Sequence, residues 1–213
     1  MKVFLLLSIL FVSCHGTSKR ALLTDSEPGG LPIPTDSTVL YYGLSKGYPD
    51  TTRISGPDRR TVRLSKLYFD FEEPILHDYH GEREIYRFGW FRSFHRWYIF
   101  RVEKQKAKYV LTVKSSGNDF EKLKEVKKKA LSLAEWNRLG MLLDSASFWN
   151  LNGFKPSEDM DGSDWIFEGY KNGNYKAVVR PGVDDLSDRY LFHFGGYIIK
   201  LAELKDERQE DVY

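Results

Sequence analysis

With 213 residues, 41% hydrophobic and 15% aromatic, the chain has material for one ordinary core, and nothing in its composition marks disorder. Its 32 basic and 30 acidic residues leave a formal charge of +2, too balanced to imply a polyanionic partner. A single cysteine, Cys14, excludes a disulfide framework, so the folded part must hold together unaided.

The chain opens on an export signal. Lys2 supplies a short positive region, and Val3 to Val12 is an uncharged apolar run that fits a signal peptide and is too short to span a bilayer. Two processing routes fit residues 1–16. Phe11-Val12-Ser13-Cys14 resembles a bacterial lipobox, with Phe11 where Leu is usual; Cys14 would then be lipidated and would tether the domain to a membrane. Alternatively, Cys14-His15-Gly16 is a small-x-small cleavage site and the protein is secreted. The coincidence of the sole cysteine with the lipobox position favours the lipid anchor. Residues 17–38, rich in Ser, Thr, Gly and Pro, read as a flexible linker.

Residues 39–205 read as one α+β domain and 206–213 as an acidic tail. Between Val39 and Arg63 only short apolar pieces, "VLYYGL" and "TVRL", hint at strands. "KLYFDF" alternates Leu67, Phe69 and Phe71 with Lys66, Tyr68 and Asp70, which predicts a strand. The segment from Glu84 to Lys114 predicts a three-stranded meander: Tyr86, Phe88 and Trp90 share one face, Trp97 and Ile99 another, and Tyr109, Leu111 and Val113 a third. Period 2 with a polar side predicts an antiparallel sheet wetted on one face. A lysine cluster follows at Lys122, Lys124, Lys127, Lys128 and Lys129.

Ser132 and Glu135 form a capping-box signature for a helix over 133–145, with Leu133, Trp136, Leu139 and Leu143 on its apolar face. "DWIFEGYKNGNYKAVVR" predicts a hairpin about Asn172-Gly173, a pair suited to positive φ angles. Leu186, Tyr190, Phe194, Ile198 and Leu201 mark a second amphipathic helix. The predicted architecture is an antiparallel sheet, meander plus C-terminal hairpin, packed by two helices.

The stretches "RFGWFRSFH", "LSLAEWNRLGMLLDSASFWNL" and "DGSDWIFEGYKNGNYKAVVR" together resemble a family of uncharacterised bacterial exported proteins, often predicted to be lipoproteins. Asp161, Gly162, Trp165 and Glu168 match its Asp-Gly-x-x-Trp-x-x-Glu core, while Lys176 stands where that family carries His. The resemblance spans roughly residues 80–200 and implies an exported α+β domain without naming a reaction.

Candidate chemistry is sparse. Asp159, Asp161 and Asp164 lie close in sequence, but counting a calcium loop from Asp159 puts Asp164 where Gly is needed and Tyr170 where Glu is needed. His77 and His80 have a metal-compatible spacing and no evident third ligand, so no metal and no cofactor is predicted. Arg87, Arg92, Arg96 and Arg101 interleave with seven aromatics in a mixture that could stack nucleic-acid bases. Alternation explains it as aromatics inward and Arg outward, and no nucleic-acid partner is predicted.

No H-E-x-x-H, Walker A or G-x-G-x-x-G motif occurs. The favoured expectation is a non-catalytic, membrane-tethered or secreted cell-envelope domain that binds an unknown ligand, with Trp97, Tyr98, Asp161, Trp165 and Glu168 as candidate binding residues and a protein or glycan as partner. Two alternatives stay open: a hydrolase using acids such as Glu168 with Asp161, and an inhibitor or immunity-like protein that blocks an enzyme.

Overall fold

The computed structural model of the chain describes residues 23–24, 30–41, 59–117, 123–154, 162–183, 186 and 188–204. The segment read as a leader, with Cys14, the aspartates Asp159 and Asp161, and the acidic tail lie outside the described residues. Among the described residues no helix is long and apolar enough to cross a membrane.

The protein is an α+β structure: its described residues form a six-stranded antiparallel sheet, three helices and a small strand pair. Strands β1 (Leu23–Thr24) and β2 (Ile33–Pro34) form that pair, and helix α1 spans Arg59–Asp70. Then come β3 (Glu84–Arg92), β4 (Tyr98–Gln105), β5 (Lys108–Ser116) and β6 (Leu123–Ala130). Helix α2 (Leu133–Ser145) leads through a short 3-10 turn to β7 (Ser163–Lys171), β8 (Asn174–Pro181) and α3 (Arg189–Ala202). The sheet order is β6-β5-β4-β3-β7-β8, so the C-terminal hairpin docks β7 against the first strand of the meander.

Local signals explain several elements. Ser132 Oγ accepts from the Glu135 N–H while the Glu135 carboxylate accepts from the Ser132 N–H, closing the predicted capping box. Asn172 and Gly173 both hold positive φ, 51° and 78°, the backbone that a two-residue hairpin turn requires. On one face, α2 and α3 cover Tyr86, Phe88, Trp90, Phe100, Trp165 and Phe167 to form the larger core.

Four expectations are corrected. Lys66–Asp70 of "KLYFDF" are the last part of α1, with Phe71 just beyond it, and not a strand. Leu64, Leu67, Tyr68 and Phe71 recur at three- and four-residue spacing and pack against Phe91, Ile99 and Ile166, and that packing outweighs the period-2 pattern of a short segment. Helix α1 therefore covers the sheet face expected to be wet, and the sheet is sandwiched rather than half-exposed. On α3 the buried stripe is Leu191, Phe194, Gly195, Ile198, Leu201 and Ala202; Leu186 precedes the helix and is exposed, as is Tyr190. On α2, Leu133 is exposed and Leu142 takes a place in the core.

The lysine cluster, for which no element was predicted, lies largely on edge strand β6. Lys127 Nζ donates to the Ala202 carbonyl (2.8 Å) and Lys129 Nζ to the Leu201 carbonyl (3.1 Å), two acceptors left open at the end of α3. The nearer end of the stretch read as linker is packed: Leu31 is buried beside Leu76 and Tyr79, and the Pro32 carbonyl accepts from the Ile75 N–H (2.9 Å).

Candidate functional site

The face under α1 holds an enclosed charge network. Strand register places Arg101, Arg87 and Glu168 side by side on β4, β3 and β7. Arg87 Nε and Nη2 each donate to one oxygen of Glu168 at 2.7 Å, and Tyr175 Oη donates to Glu168 Oε1 at 2.8 Å. Glu73, on the segment after α1, reaches down between the strands. Its Oε2 accepts from Arg101 (2.6 Å) and Arg87 (3.2 Å), and its Oε1 lies 3.1 Å from Lys114 Nζ. Lys114 also donates to the carbonyls of Phe71 and Glu72. The Tyr68 ring lies 4.4 Å from the Arg87 guanidinium, over Gly89, where a Cβ would come within 2.6 Å of the Tyr68 hydroxyl.

Electrostatics follow from that geometry. Burial alone would raise the Glu73 carboxyl, but Arg101, Lys114 and Arg87 outweigh it and hold the group at about 2. Burial pushes the Lys114 ammonium below its ordinary value against the attraction of Glu73. Burial likewise pushes the Tyr68 and Tyr175 hydroxyls up, and the Glu168 charge adds to it. Arg87, Glu73 and Glu168 are all at most 1% exposed, so the network is internal structure and no ligand reaches it. Arg87 and Arg92 thus point into the protein, which corrects the expectation of an outward arginine row. Arg92 stacks 3.8 Å over the Trp90 ring within the other core.

The structure separates the candidate binding residues. Tyr98 is buried between Trp90 and Phe100. Trp165 is fully buried, its Nε1 donating to Ser163 Oγ (2.7 Å), and it faces the opposite side of β7 from Glu168. Asp161 lies outside the described residues. Of the four described candidates, Trp97 alone borders an open space.

That space is a groove of about 680 Å³ lined by Arg63, Lys66, Leu67, Asp70, Glu72, Trp97 and Leu123. It lies within the size range of small-molecule sites, about 300–1,000 Å³. Helix α1 forms one wall. Trp97 forms another and is held in place: its Nε1 donates to the Arg92 carbonyl (2.9 Å), its N–H to Ser116 Oγ (3.0 Å), and its carbonyl accepts from the Ser116 N–H (2.9 Å). Phe91 packs edge-on against the Trp97 ring at 6.2 Å. Sequence reasoning missed Arg63, Lys66 and Asp70 because it read α1 as strand and so could not place their exposed face beside Trp97. The i,i+4 pair Lys66–Asp70, 2.5 Å apart, was the available helix signal.

Among the described residues no three His, Cys, Asp or Glu side chains gather as a metal site. His77 instead has its Nδ1 3.2 Å from the Tyr41 carbonyl and its ring against Tyr175. Comparison with known protein families and with curated proteins returned no match to either.

Proposed function

We propose that this chain is a non-catalytic binding domain of the bacterial cell envelope, tethered by a lipid on Cys14 or else secreted, and that its ligand lies in the groove beside Trp97. The observation that carries the reading is Trp97 itself: a half-buried aromatic, fixed by three hydrogen bonds, on the wall of an open groove with mixed polar and apolar lining. Rigid aromatics beside convergent polar groups are the usual anatomy of a small-ligand site. The hydrolase alternative draws less support, because both Glu168 oxygens accept from Arg87 in a space closed to substrate.

The test is titration of the full chain, in mild detergent, with cell-wall glycans, peptides and lipid headgroups, following binding by calorimetry and, in the native chain, the indole N–H resonance of Trp97 by NMR. Saturable binding that moves the Trp97 resonance in the native chain and whose heat disappears in Trp97→Ala supports the reading. Turnover of any probe, or binding that ignores Trp97→Ala, overturns it. For the anchor, intact mass of the protein extracted from its host membrane is expected to show an acylated chain starting at Cys14; an unmodified chain starting beyond it establishes the secreted form instead.

A further inference from the structure

The Trp97 groove carries charges that cancel. Arg63 and Lys66 stand against Asp70 and Glu72, all on or just after α1, and Lys66 already pairs with Asp70 at 2.5 Å. Arg63 is drawn toward Asp164, 3.8 Å away. Such a lining offers no net field to select an ion of either sign. What it offers is donors and acceptors interleaved over a few ångströms, guanidinium and ammonium beside two carboxylates, with Leu67 and Leu123 as apolar ground between them.

Trp97 adds a flat apolar face rather than a polar handle. Its only polar side-chain atom, Nε1, is committed inward to the Arg92 carbonyl, so a ligand meets the ring and not the N–H. The α1 wall offers an extended peptide no backbone partner, since its groups are spent on its own helix, and among the described residues edge strand β6 reaches the groove only through its first residue, Leu123. A molecule with a flat C–H face and hydroxyls that both donate and accept fits ring and rim together.

Resting on the groove reading above, we infer that the ligand is a neutral glycan, a pyranose ring stacking on Trp97 while its hydroxyls bond the Arg63, Lys66, Asp70 and Glu72 side chains.

The experiment titrates the full chain with a panel of neutral oligosaccharides, including glucose and N-acetylglucosamine tetramers. A neutral ten-residue peptide and a sulfated oligosaccharide are titrated alongside, reading calorimetry for every variant and the Trp97 indole resonance in the native chain. The neutral sugars are expected to shift it saturably with an affinity unchanged between low and high salt, because no ions pair on binding. Trp97→Ala should weaken that binding about tenfold while Trp97→Tyr retains most of it, as loss and retention of a stacking face would do. Should Trp97→Ala fold poorly, the exposed double variant Lys66→Gln with Asp70→Asn replaces it and is expected to weaken sugar binding with the fold intact. Saturable binding of the peptide or the sulfated probe in place of the neutral sugars overturns the glycan assignment and leaves the groove reading standing. A Trp97 resonance unmoved by every probe overturns both.

Discussion

Arg87 on β3 and Glu168 on β7 are 81 residues apart in sequence yet directly opposed in the sheet, joined by two parallel hydrogen bonds of 2.7 Å where neither side chain is exposed. Two-pronged pairing of this kind is satisfied geometry, but the charges have also been taken out of water, so its net contribution to stability is small while the cost of breaking it is large. Removing one partner by Arg87→Met or Glu168→Leu should therefore cost about 3–5 kcal/mol in urea unfolding. The double variant should cost less than the sum of the two, because it strands neither charge. Additive losses would show that the two groups do not depend on each other.

Glu73 makes the same network sensitive to acid. Its carboxyl sits at about 2 in the folded chain against an ordinary 4.5, so the folded state binds the proton less readily than the unfolded state. The stabilisation is complete above pH 4.5 and drains away as the pH falls toward 2. Its size is on the order of 3 kcal/mol. Unfolding free energy measured across that window should fall in the native protein, and Glu73→Gln should flatten the fall while lowering stability at neutral pH, where Arg101 and Lys114 lose their counter-charge.

The elements legible in the sequence are those specified by neighbours. The capping box at Ser132 and Glu135, the Asn172-Gly173 turn and the alternation of Tyr86, Phe88 and Trp90 each lie within a few residues, and the structure matches them. What could not be read is set across the fold. Arg87 and Arg101 have the same residue type and spacing whether they face water or face Glu168 and Glu73; only strand order decides, and that order pairs β3 with β7 rather than leaving it an edge. Missing α1 had the same root, since six residues of "KLYFDF" fit both periods and only the sheet beneath selects the helix. The groove followed from that error: Trp97 was visible as a candidate, but its neighbours were not.

Lys127 ties the edge strand to the end of α3. Its ammonium meets the Ala202 carbonyl at 2.8 Å, where the helix has unsatisfied acceptors and a partial negative charge. Lys127→Met should lower stability by only about 0.3–1 kcal/mol. Its signature is local: faster hydrogen exchange in the last turn of α3, with the core strands unchanged. A global loss of protection would mean that β6 itself depends on this contact.

Gly195 and Gly196, adjacent in α3, should respond in opposite directions to the same substitution. Alanine is the better helix former at both, by about 0.5–1 kcal/mol. At Gly196 an added Cβ meets nothing within 4 Å, so Gly196→Ala should raise the unfolding midpoint by that propensity alone. At Gly195 the Cβ would fall 2.2 Å from Cζ3 of Trp165, a ring fully buried and held by Ser163 Oγ through its Nε1. Neither ring nor helix can give way without opening the core, so Gly195→Ala should cost about 1–3 kcal/mol despite the gain in propensity. Thermal unfolding of the two variants side by side checks the pair, and equal responses would mean that α3 does not seat on Trp165 at this depth.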